Sequence, residues 1–154
     1  MDNVDIYIKI KWTGGFRGDG SAAAVMVFVD RNGKEHKKVE TVAIEEGTQE
    51  RLQLLIILKT LNDLRKSCSV GIYTDSDNIR NAIENRWIDG WVKNKWKSKK
   101  GKEIKNKDLW EQVKKMMEKH QIGIMDYISR YEDDLNITLK EKEKEQHGGE
   151  KSNE

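Results

Sequence analysis

The sequence predicts an α/β domain: a five-stranded mixed sheet flanked by helices. Three observations lead there. Three strand-patterned segments come first in a row. The second and third are joined by Arg31-Asn32-Gly33, a strong hairpin signal. Short apolar runs at residues 69–74 and 122–128 then alternate with helix-patterned segments. Consecutive antiparallel strands followed by right-handed crossovers make a mixed sheet with helices on both faces.

Each element has its own justification. Residues 4–12 alternate, with Ile6, Ile8 and Ile10 on one side and Asp5, Tyr7, Lys9 and Lys11 on the other, as in a half-buried strand. Residues 13–20 carry four glycines and read as a loop. Residues 22–30 are small or β-branched, and residues 35–44 complete the hairpin. Thr48 caps a helix whose leucines and isoleucines, from Leu52 to Leu64, cover two of its sides. Residues 77–92 form the next helix, with Ile79, Ala82, Ile83, Trp87 and Trp91 near one face. A lysine-rich linker follows, and Asn106-Lys107-Asp108 opens a helix packed through Leu109, Trp110, Val113, Met116 and Met117. A charged helix begins at Glu132. Residues 1–140 are expected as one domain, with 91–107 as a basic protrusion and 141–154 as a charged, disordered tail.

Composition narrows the function classes. Of 154 residues, 36% are apolar and 36% charged, and no apolar run reaches the ~18 residues of a membrane span. The first residues lack the layout of a signal peptide. Cys68 is the sole cysteine, so an internal disulfide is excluded and a cytoplasmic, reducing setting is expected. One cysteine and three histidines also argue against structural zinc. The net charge of +2 is unevenly spread: residues 91–107 hold eight lysines and one glutamate, a local +7 that leaves about −5 elsewhere. A segregated basic patch suggests a polyanionic partner, a solvated lysine-rich face being the plain alternative.

Three segments carry a resemblance to a known family. Thr48-Gln49-Glu50-Arg51-Leu52-Gln53-Leu54 resembles a helix opening of the pattern T-N-N-R-M-E-L. Residues 68–76 resemble a central strand ending in T-D-S, here Thr74-Asp75-Ser76. Trp87-Ile88-Asp89-Gly90-Trp91, Trp96-Lys97 and Asp108-Leu109-Trp110 resemble a basic protrusion and the helix after it. Together these resemble type 1 ribonuclease H, from about residue 4 to 140. The resemblance implies the ribonuclease H-like fold and cleavage of the RNA strand of RNA–DNA hybrids by two divalent ions about 4 Å apart.

Hard ions such as Mg²⁺ need clustered oxygen ligands, and the family places carboxylates on the first strand, the first helix, the end of the fourth strand and the last helix. Here Lys9 stands at the first position and Gln53 at the second. Asp75 is retained, and Asn136 falls nearest the fourth, with Asp133 and Asp134 close by. The expectation is a degenerate site: Asp75 as a remnant, no cofactor, no metal beyond Asp75 as a weak ligand, and Lys9 paired with Asp75 in place of an ion. Glu50, Asp77, Asp133 and Asp134 are the candidates for a rearranged carboxylate set around Asp75. Asp19-Gly20-Ser21 imitates the family's D-G-S, but its place after the glycine loop makes Asp19 a turn residue.

The binding surface is expected to be intact. Lys93, Lys95, Lys97, Lys99, Lys100, Lys102, Lys105 and Lys107 would neutralise phosphates, with affinity falling steeply as salt rises. Trp96 is the tryptophan expected to touch nucleic acid or pack a hinge, while Trp87 and Trp91 support the protrusion. Gln49 and Asn106 sit where the family meets backbone and sugar hydroxyls. The first expectation is therefore a catalytically impaired domain that binds hybrid or duplex nucleic acid. The alternatives are an active Mg²⁺-dependent hybrid endoribonuclease with rearranged carboxylates, or a fold reused for protein contact.

Overall fold

The computed structural model describes the backbone of residues 1–151 and side chains through residue 145. The chain runs β1 (Asp2–Gly14), β2 (Gly18–Val29), β3 (Glu35–Gly47), α1 (Gln49–Asn62), β4 (Cys68–Thr74), α2 (Asp77–Glu84), α3 (Trp87–Lys93), α4 (Lys107–Lys119), β5 (Gln121–Asp126) and α5 (Glu132–Lys151). The sheet order is β3-β2-β1-β4-β5. The first three strands are antiparallel, and β4 and β5 run parallel to β1 and to each other. This is the expected five-stranded mixed sheet of the ribonuclease H-like fold.

The strand period puts two cores on the two sheet faces. Ile6, Ile8, Ala22, Ala24, Val70 and Ile72 face α1 and α4, meeting Leu52, Leu54, Ile56, Leu61 and Trp110. α1 is buried on two sides because sheet and α4 both press on it, as its wide apolar stripe predicts. The face of β1 that carries Asp5, Tyr7, Lys9 and Lys11 was expected to be polar. Tyr7, Ala23, Val25 and Val27 are instead buried there beneath Leu135 and Leu139 of α5. A helix added late in the chain covers what strand periodicity alone assigns to water.

Several boundaries differ from the sequence reading. The glycine loop shrinks to a tight turn because β1 and β2 pair as far as Gly14 and Gly18. Asp19 is therefore a strand residue beside a register shift, and its carboxylate accepts the Glu46 N–H at 2.8 Å. The single helix expected over residues 77–92 breaks into α2 and α3 at Arg86, which is left-handed at φ 58°. α5 is helical through Lys151, well into the segment expected as a tail; residues 152–154 lie outside the described ones. Among the described residues no helix is long and apolar enough to cross a membrane.

Candidate active site and nucleic-acid interface

The crossovers bring the middle of β1, the end of β4 and the starts of α1 and α5 to one place. α1 starts there because Thr48 is extended and its hydroxyl accepts the Arg51 N–H at 3.2 Å. β4 stops there because Ser76 caps α2 immediately after Asp75. Between these ends lies a cleft of about 340 Å³, lined by Lys9, Trp12, Gln49, Gln53, Asp75 and Tyr127 among others.

Lys9 points into the cleft and pairs with Glu132, not with Asp75 as the sequence suggested. Glu132 is the first residue of α5, and its other oxygen accepts the Tyr127 hydroxyl at 2.7 Å. The Lys9 ammonium, with Tyr127 second, holds the Glu132 carboxyl below the usual carboxylate range. The Tyr127 phenol is pushed up, first by its bond to Glu132 and then by burial. Gln53 is 8% exposed, and its carbonyl oxygen takes the Thr74 hydroxyl at 2.7 Å. Asp75 is exposed at the cleft edge.

Other expected residues lie elsewhere. The Glu50 carboxylate is occupied by the side-chain amides of Asn78 and Asn106. Asp134 pairs with Lys37 at 3.1 Å, over β3. Asp77 and Asp133 are exposed. Asn136 is exposed one helical turn beyond Glu132, the acid that binds the cleft residues Lys9 and Tyr127. Glu132 and Tyr127 were missed in the sequence because the short link between β5 and α5 hides the register. The available signal was the acidic first turn of α5, Glu132-Asp133-Asp134, which begins directly after that link.

The donor set is a poor match for two divalent ions. Asp75 and Glu132 supply two negative charges and Lys9 cancels one, against a load of +4. Among the described residues no three histidine, cysteine, aspartate or glutamate side chains gather as a metal site would require. The chain does contain a fixed cation between β1 and α5, the Lys9 ammonium.

The basic segment is a folded hairpin rather than a linker. Lys97 and Glu103 form a β-bridge, Ser98 N–H donates to Lys102 O at 2.7 Å, and Gly101 turns the chain at φ 81°. Trp96 N–H donates to Trp91 O at 2.7 Å, and Ile104 N–H to Trp96 O at 3.0 Å. Trp91 packs edge-on against the buried Trp110 at 5.4 Å and against Trp96 at 6.3 Å. Trp91 and Trp96 thus mount the hairpin on the core, whereas Trp87, expected as support, is 46% exposed. Trp87 and Trp91 line an open groove of about 1090 Å³ with Arg86, Asn94, Lys95 and Lys97.

Lys93, Lys95, Lys97, Lys99, Lys100, Lys102 and Lys105 are all exposed. Lys107 is the exception: it lies 3.6 Å from Glu103 and 3.7 Å from Glu111. Asn106 caps α4 in a left-handed conformation and ties the protrusion to α1 through Arg51 and Glu50. Arg51 also grips Asp108 with two bonds, at 3.0 and 2.7 Å. Gln49 remains exposed beside the cleft. Glu50, next to the cleft residue Gln49, is thus bonded to Asn106 at the base of the lysine-rich segment.

Comparison with known proteins agrees with this architecture. The sequence model of the RNase H family matches residues 13–129. A ribonuclease H of Oleidesulfovibrio alaskensis is 39% identical over 122 residues, covering 79% of this chain and 75% of that protein. A ribonuclease H of Nitratidesulfovibrio vulgaris strain Miyazaki F is 37% identical over 105 residues, 68% of this chain and 64% of that protein's length. The crystal structure of LC9-RNase H1, a type 1 RNase H with the type 2 active-site motif, shares the fold. It superposes with a TM-score of 0.70 at 20% identity, over 84% of this chain and 64% of that one. With the sheet order, the protrusion and the family match all in agreement, the chain belongs to the RNase H family.

Proposed function

We propose that this chain recognises RNA–DNA hybrids through its lysine hairpin and the adjoining cleft, and holds them without two-ion hydrolysis. The observation that carries this reading is the ion pair of Lys9 with Glu132. Two-metal catalysis needs carboxylates converging on the scissile phosphate. Here an ammonium occupies the β1 position, and Gln53 turns its only acceptor oxygen to Thr74. The hairpin supplies the polyanion affinity, since its exposed lysines can each displace condensed counterions.

A second reading has its own support. The relatives named above are called ribonuclease H, which favours cleavage of the RNA strand with Mg²⁺ over binding alone. In that reading Asp75 and Glu132 serve as the remaining carboxylates. An end-labelled hybrid separates the two. Anisotropy titration over a salt series and a denaturing gel with Mg²⁺ are run on the same samples. Salt-dependent binding with an intact RNA strand supports the first reading. Cleavage that needs Mg²⁺ and vanishes in Asp75→Asn establishes the second instead.

A further inference from the structure

The apex of the β1–β2 hairpin carries a side chain that neither the core nor the cleft uses. Phe16 is 76% exposed, more than any other large apolar side chain among the described residues. The turn beneath it is stiff. Trp12 Nε1 donates to Gly15 O at 3.1 Å, the Arg17 guanidinium donates to Glu46 O, and Asp19 binds the Glu46 N–H at 2.8 Å. The strands are so close that a Cβ on Gly18 would stand 2.3 Å from Thr13 O. The ring is therefore presented on a rigid mount.

Its neighbours come from both the basic segment and the cleft. The Lys105 ammonium lies 5.6 Å from the ring centroid. On the other side, Trp12, whose indole is bonded to the turn, lines the cleft together with Lys9, Gln49 and Asp75. Phe16 therefore stands beside both Lys105 of the basic segment and the turn held by Trp12 of the cleft wall.

We propose that Phe16 is a minor-groove contact for the hybrid, laying its ring against sugars and base edges while Lys105 meets the flanking phosphate. This rests on the reading that the chain binds hybrids. An RNA strand draws its duplex toward the A form, whose minor groove is wide, shallow and open to side chains. Apolar side chains lodge against base steps in minor grooves elsewhere. The cation beside the ring suits a groove bordered by phosphates, whereas an apolar protein patch would have to desolvate that charge.

The test is hybrid affinity of the full chain by anisotropy, over a potassium chloride series, for Phe16→Ala, Phe16→Trp and Lys105→Ala. Phe16→Ala binds about five- to tenfold more weakly with an unchanged salt slope, because a ring but no charge is lost. Phe16→Trp binds as the wild type does. Lys105→Ala lowers the salt slope by about one. Melting temperatures stay at the wild-type value, since Phe16 buries little. If Phe16→Ala binds like the wild type, or Phe16→Trp loses as much as alanine does, the inference is overturned while hybrid binding stands. A wild-type chain with no affinity for hybrid removes the reading beneath it as well.

Discussion

His120 closes α4 and is only 3% exposed. Its Nδ1 accepts the Cys68 backbone N–H at 3.0 Å, so the neutral ring carries its proton on Nε2, which is buried without a partner among the described residues. Burial, with Lys119 second, lowers the His120 pKa. The sign of the linkage follows. The unfolded chain takes up a proton near pH 6.5 and the folded one resists it, so stability is complete above that value. It is lost as the pH falls from about 6.5 through the lowered folded value. Urea melts at pH 7.5 and 5.5 are expected to show a drop that is smaller in His120→Asn, which keeps an acceptor but does not titrate. An equal drop in both would assign the acid sensitivity to other groups. Lys9 makes the second prediction at this scale. Lys9→Asp places a carboxylate beside Glu132 and near Asp75, so Mg²⁺ should raise the melting temperature of the variant. The wild type should not respond beyond a salt-matched control.

At the scale of elements, the protrusion depends on one tryptophan cluster. Trp110 is fully buried, and Trp91 joins it to Trp96 in the hairpin. Trp91→Ala removes the joint, and the loss should be about 3 kcal/mol or less, since the ring is partly exposed. Hydrogen exchange is the more telling measurement. The Ile104 and Ser98 amides, bonded to Trp96 O and Lys102 O, should lose protection while amides of β1 keep theirs. α5 is attached differently, by Leu135 and Leu139 on the sheet and by ion pairs from Lys9, Lys11 and Lys37. Exposed pairs contribute little, so the leucines dominate. Leu135→Ala should cost about 2–4 kcal/mol in urea melts, and high salt should cost far less.

For the whole molecule, charge is sorted by place. The net charge of +2 conceals a hairpin of exposed lysines and a cleft lined by Asp75 and by Lys9, the partner of Glu132. Polyanion affinity should therefore reside in the hairpin and be shed with salt. Replacing Lys99 and Lys100 together by alanine should lower the slope of log affinity against log salt by about two. An unchanged slope would place the nucleic acid elsewhere. The fold makes this sorting possible, because the parallel crossovers gather strand ends and helix starts at one edge while the hairpin projects beside them.

Much of this was legible in the chain itself. Strand alternation, the Asn32-Gly33 turn, the Thr48 cap and the Trp-rich protrusion motif are local patterns, and local patterns specify elements and their order. Lys9 and Gln53 were legible as cleft positions for the same reason, since each sits within a short motif. What the sequence could not decide is which distant groups meet. Lys9 and Glu132 are 123 positions apart, and no local rule distinguishes Glu132 from Asp133, Asp134 or Asn136. Tyr7 read as a solvent-facing residue until α5 covered it, and Arg86 broke a helix that periodicity ran through. The sequence by itself determined the fold class and the basic segment of residues 91–107. Only the tertiary structure decided that an ammonium bridges β1 and α5, because that contact depends on helix docking, which no single segment encodes.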